Sequence, residues 1–533
     1  METSSQVEFS MPVGVRHHGR HQRTKWQEGQ KSVSRRRETS LQTSAKPVKS
    51  RPCFPPPDVG NFIFIHLHII IRPADQNHPP TMEHLSHRCM YISDVKLHFA
   101  RDFEIQIAGR FITVLLDPHS FDSVVTESSA KLNFTKYALL LMDRIFNLQF
   151  PNHDHSKEKA LMKTQLQGKN LSSLTQAFLS NLKTILLIDE NGTKNAWKKE
   201  GLFNFCYDAM FRAGYLALFG NEAAQINEQT SKVKDGIHSA QLYSIYKRLD
   251  QILIKSSTLS AGEKKEAALV KKNLWWLMSV ENLNSRVNRS SWLESYQNYL
   301  QRQGMHPDMQ ARAMVLQLWA TQGNVGPAAF WLLLFLLKHP ETMSAVQEEI
   351  KKIGFNHAMS TISQDVLDNT PIFDSVLNET LRLTAAPFIT REVLQDMILQ
   401  LADGRTYHLR MGDRLCLFPY LSPQMDPEIY EEPEKFKYDR FLNQNGTKKT
   451  DFFKGGKQLK YYNMPWGAGT NVCVGQSFAI TSLKVFVFIM LSCFDFQLTN
   501  PKTDIPAFNT SRYGFGLMQP ENDIMFQYKL KVE

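Results

Sequence analysis

The stretch Met464-Pro465-Trp466-Gly467-Ala468-Gly469-Thr470-Asn471-Val472-Cys473-Val474-Gly475 constrains this chain more than any other. One cysteine sits between glycines, directly ahead of an apolar run from Gln476 to about Phe494 that predicts a long helix. Gly469 and Gly475 permit a tight turn and a close approach to a flat cofactor, which a Cβ would obstruct. A helix start behind Cys473 supplies unpaired N–H groups and a positive dipole end, and both favour a thiolate over a thiol. A thiolate held this way is the axial ligand a haem iron needs for O–O bond cleavage. The competing reading is a buried, inert cysteine ahead of a core helix, the usual fate of a lone Cys.

Two upstream motifs bear on that choice. In Glu379-Thr380-Leu381-Arg382 the spacing of three puts acid and base on one helix face, where they can pair. Tyr438-Asp439-Arg440-Phe441 brings a second arginine between that helix and the cysteine. Together the three motifs resemble, in order, those of the cytochromes P450: Glu-x-x-Arg, a second arginine motif, and Phe-x-x-Gly-x-x-x-Cys-x-Gly with Trp466 in the phenylalanine position. The resemblance implies a mainly α fold with a minor β region, the cytochrome P450 fold with a buried haem b. It implies Cys473 as axial ligand of the haem iron, and Trp466, Gly469 and Gly475 beside the cofactor. It also implies a structural network of Glu379, Arg382 and Arg440 that braces the cysteine loop.

Composition removes other classes. The net charge of +10 suggests nucleic acid until it is located: residues 1–51 carry eleven Lys/Arg against four Glu, which is +7 of it. The remainder is near neutral, so no nucleic-acid surface is expected. The six cysteines lack paired spacing, which argues for a reducing compartment.

Residues 1–95 form a basic segment outside the family resemblance, with its first fifty residues expected to be disordered and 53–57 to be an extended turn. The apolar stretch 61–71 is shorter than the roughly 20 residues that span a bilayer. The membrane helix usual in microsomal members is not visible, and an alternative or mistaken exon is the expected origin of this segment. The haem-thiolate domain is expected over 96–533. Phe103 to Leu116 alternates around Ala108-Gly109 and predicts a β-hairpin, after which Asp117-Pro118 predicts a helix with Asp117 as N-cap. Residues 137–300 read as helices broken by charged loops, notably Lys232 to Lys272. One buried helix is predicted from about Pro307 to Leu337, and an Asp403-Gly404 hairpin follows the Glu-x-x-Arg helix.

Within the family, Gly323 to Trp331, Leu383 to Glu392 and Ser511 to Pro520 resemble the branch that isomerises prostaglandin H2 to prostacyclin. Oxygen-activating members carry an acid and a threonine in the long helix to deliver protons to bound dioxygen. Here Gly323-Asn324-Val325-Gly326-Pro327 has neither, and Pro327 frees a carbonyl one turn earlier and is expected to kink the helix. Such a site suits a substrate that already holds an O–O bond. The resemblance implies Asn324 beside Cys473 in catalysis, and Arg144, Phe150, Trp319, Asn324, Thr390, Arg391 and Arg414 around the substrate. Arg391 also stands where many members hold a haem propionate, with Lys159 and Lys163 in a helix that often does so. It further implies no obligatory reductase, a monomer, and attachment to the endoplasmic reticulum membrane. The alternatives are a sterol 12α- or 7α-hydroxylase, which needs NADPH and a reductase, and an inactive haem-binding paralogue.

Overall fold

The structure is a computed structural model that describes residues 70–73, 103–107 and 110–531, except 151–153, 188–195, 224–226, 255–258 and 356–360. The expected disorder of the first fifty residues, the turn at 53–57 and most of the apolar stretch 61–71 lie outside the described residues.

Helices dominate, and the largest apolar core forms where Leu202–Phe219, Val325–Lys338, Pro371–Thr384 and Gln476–Cys493 pack together. The Val325–Lys338 and Gln476–Cys493 helices are apolar nearly all round, and such helices satisfy their surfaces only by burial on every side. Among the described residues, two helical stretches, Pro307–Lys338 and Gln476–Cys493, are long and apolar enough to cross a membrane, but each is mostly buried within the protein.

The main sheet has six strands in the spatial order Ile70–Pro73, Phe103–Ile107, Arg110–Leu115, Arg414–Leu417, Ile389–Val393, Leu132–Asn133. Its first strand comes from upstream of residue 96, so the near side of the expected domain boundary is paired with the far side. Phe103–Ile107 and Arg110–Leu115 form the antiparallel hairpin, and Met397–Gln400 with Thr406–Leu409 form another around Gly404 at φ +86°.

Two expectations need correction. The helix after the hairpin spans Phe121–Val125 with Ser120 at its N-cap. Asp117 instead accepts from the His119 N–H and the Ser120 hydroxyl, a local turn that short acidic side chains favour. Lys232 to Lys272 is not loop but largely two helices, Glu228–Ile254 and Ala261–Leu277. Their charges pair on solvated faces, as in Lys232–Glu228 at 2.7 Å, and Ser260 with Glu263 forms a capping box. The helix predicted from Pro307, with its kink before Pro327, is interrupted at Gly323-Asn324 into Pro307–Gln322 and Val325–Lys338.

Candidate active site

The break follows from Pro327. Lacking an N–H, it cannot donate to the Gly323 carbonyl, and the Tyr207 hydroxyl takes that acceptor at 3.4 Å. Gly326 makes room, since a Cβ there would sit 2.2 Å from Tyr207 Cδ2. At the break Asn324 turns its side chain to a cavity of about 380 Å³, within the range of small-molecule sites. The Leu517 N–H donates to Asn324 Oδ1 at 2.9 Å, so the amide NH2 is the end left for a ligand.

Apolar side chains make most of the wall, including Phe134, Phe178, Trp292 and Phe478, with Gln317, Thr321 and Gln322 as polar points. Thr321 has its hydroxyl bonded back to the Gln317 carbonyl at 2.8 Å. No aspartate or glutamate lines the cavity among the described residues.

Cys473 lies on the same cavity, with Trp466 and Gly475 beside it. The Cys473 N–H donates to the Trp466 carbonyl at 2.8 Å, which closes the loop on itself. Burial pushes the Cys473 thiol above its ordinary 9.0, against the pull of the Gly475 and Gln476 N–H groups and the Lys159 charge. The helix-start N–H groups favour the thiolate, as the sequence implies, with burial opposing them; a metal ion at the sulphur would complete the deprotonation, because a coordinating thiol is deprotonated outright. Gly469 does not line the cavity. It is needed for φ +62° and because a Cβ would meet Val125 Cγ1 at 2.5 Å.

Arg391 is buried, lines the cavity, and donates one guanidinium N–H to its neighbour Thr390's carbonyl at 3.0 Å. Lys159 Nζ is buried without a hydrogen-bond partner, and burial holds its pKa below the usual lysine value, with Lys163 and Arg391 adding repulsion. A sulphur open to a largely apolar cavity, with two under-used cations in its field, fits a haem with its propionates. Cys473, Lys159 and Arg391 would hold it. Lys163 is exposed.

The remaining sequence candidates are not among the cavity-lining residues. Arg414 is buried in the sheet and paired with Glu392 at 2.9 Å, which follows from their facing positions on adjacent strands. Thr390 directs its hydroxyl to Cys416 Sγ. Arg144 and Trp319 each keep a buried donor, Nη1 and Nε1, without a partner, and Trp319 packs on Phe146 with ring centroids 5.8 Å apart. Phe150 packs against the main core.

Glu379, Arg382 and Arg440 meet in one cluster. Arg382 spans both Glu379 oxygens at 2.7 and 2.8 Å, and Arg440 Nε reaches Oε1 at 2.9 Å. Tyr430 lies against the Arg382 guanidinium at 4.8 Å and donates its hydroxyl to the Tyr462 carbonyl at 2.7 Å, two residues before the cysteine loop. That chain of contacts ties the cluster to the loop.

A family model described as Cytochrome P450 matches residues 196–527. The chain is 53% identical to the Prostacyclin synthase of Rattus norvegicus over 81% of this chain and 87% of that one. It is 52% identical to the Homo sapiens Prostacyclin synthase over 80% and 87%. Against the 7-alpha-hydroxycholest-4-en-3-one 12-alpha-hydroxylase of Oryctolagus cuniculus it is 39% identical over 80% and 86%.

Proposed function

The chain belongs to the cytochrome P450 family with its haem-thiolate cofactor, and from that premise we propose that it is an isomerase converting prostaglandin H2 to prostacyclin. The observation that carries the reading is the helix break at Gly323-Asn324, where an amide rather than an acid or a free alcohol faces the cavity. A wall without a carboxylate is poorly equipped to feed protons to dioxygen and suits a substrate with its O–O bond already made.

When bound, the thiolate-ligated haem supplies the electron density for O–O cleavage with no net redox change, since substrate and product are isomers. The chain's own groups position and shield. Cys473 would hold the iron, with the Gly475 and Gln476 N–H groups stabilising its negative charge. The Asn324 NH2 donates to an endoperoxide oxygen and orients it. Arg391 and Lys159 would neutralise the propionates, and the Arg391 guanidinium would also suit a substrate carboxylate. The aromatic and aliphatic wall excludes water and holds the two prostanoid chains. No reductase is required, and the enzyme works as a monomer at the endoplasmic reticulum membrane, with residues 96–533, joined in the main sheet by Ile70–Pro73, as its haem-thiolate domain.

The test is product analysis of the purified, haem-loaded chain given prostaglandin H2 without NADPH or reductase. Formation of 6-keto-prostaglandin F1α, the hydrolysis product of prostacyclin, is expected. Its absence, with the thiolate spectrum intact, overturns the isomerase. Hydroxylation of a sterol with NADPH and reductase would then identify the chain as a monooxygenase.

A further inference from the structure

The helix break at Gly323-Asn324 is held from two sides, one fixed to a buried ion pair and the other running beside it. On the first side, the C-terminal segment 512–519 lies over the helix break. Its Leu517 N–H holds Asn324 Oδ1, and a Cβ on Gly516 would sit 2.6 Å from that oxygen, so there is no slack between them. The segment is fixed at both ends to a single carboxylate. Arg512 Nη1 and Nη2 donate to Asp250 Oδ2 and Oδ1 at 2.9 and 3.0 Å, and Gln519 Nε2 donates to Oδ2 at 3.1 Å. On the second side, the Gly323 carbonyl is held by Tyr207, whose hydroxyl lies 3.3 Å from that of Tyr246. Tyr246 is one helical turn before Asp250 on the Glu228–Ile254 helix.

We infer that Asp250 and Arg512 are positioning residues for Asn324. The inference rests on the proposal that Asn324 meets the substrate. The pair is buried, lies outside the cavity lining, and touches neither the cysteine loop nor the Glu379 cluster in any hydrogen bond among the described residues. Its bidentate geometry fixes orientation as well as distance, which a single-point contact does not. A displacement of about 1 Å at a group that orients a reacting atom is enough to cost rate.

The test compares the haem-loaded full chain with D250N, R512K, N324A and D250N/N324A. Hydrogen exchange of the 515–519 segment reports the positional link without any substrate. In D250N it should accelerate about tenfold while the thiolate spectrum is retained. Turnover of prostaglandin H2 should fall roughly tenfold in kcat with KM nearly constant, and D250N should add nothing in the N324A background. Should D250N not fold, R512K keeps the charge but loses the fork and gives the same readings. Unchanged exchange in both variants, or rate losses that multiply in the double variant, would overturn the inference. Accelerated exchange in D250N, together with a wild type that makes no prostacyclin, would retain the link while sinking the isomerase reading.

Discussion

Arg382 donates to both carboxylate oxygens of Glu379 at 2.7 and 2.8 Å, with neither side chain exposed to solvent. The same carboxylate also receives Arg440 and the Lys437 N–H, while Arg382 reaches on to the Gln424 carbonyl at 2.6 Å. One acid thus gathers the Pro371–Thr384 helix and the loop that leads toward the cysteine. Glu379→Ala leaves two arginines buried without their counter-charge and should destabilise the chain by about 3–5 kcal/mol. Urea denaturation measures this, and haem retention should fall with it, through the Tyr430–Tyr462 link.

Asn324→Ala removes the donor proposed for the endoperoxide while leaving Cys473 untouched. Prostacyclin formation should drop by about tenfold, the equivalent of one hydrogen bond, with haem content and thiolate spectrum unchanged. Equal turnover by the variant would remove Asn324 from the reaction.

Much of this arrangement is legible in the chain because it is local. The Glu379–Arg382 pair needs only a spacing of three, and the Asp403-Gly404 turn needs only its own residues. The break at Gly323 is half legible: Pro327 announces a freed carbonyl, but the donor that satisfies it is the hydroxyl of Tyr207, 116 residues away. Arg414 stands among the expected substrate contacts until the sheet sets it opposite Glu392. The cavity wall is hidden for a different reason. Phe178, Trp292 and Phe478 stand on apolar helix faces, and spacing does not separate a face that meets a ligand from one that meets core.

Pro327→Ala returns the missing N–H to the Gly323 carbonyl and competes with Tyr207 for it. The expected result is a straighter helix, an Asn324 turned from its grip, and reduced prostacyclin formation without loss of stability. Gly326→Ala should act otherwise, because the new Cβ overlaps Tyr207. It should cost about 1–3 kcal/mol by overpacking, read from the denaturation midpoint.

Glu158 offers a pH signature separate from the site chemistry. Burial on the His155–Gln165 helix raises its pKa above the ordinary 4.5, against the pull of the Tyr296 hydroxyl, which donates to Oε1 at 2.9 Å. The folded state therefore holds this proton more tightly than the unfolded chain, so the group's contribution to stability is fully present below the unfolded value. It is lost as pH rises through the raised folded value. Glu158→Gln keeps an acceptor for Tyr296 and carries no charge at any pH. Its melting temperature should exceed that of the wild type at pH 7, with the advantage shrinking on acidification and vanishing below the ordinary carboxylate value. A gain that stays constant from pH 7 to about pH 4 would mean that Glu158 is not penalised by its burial.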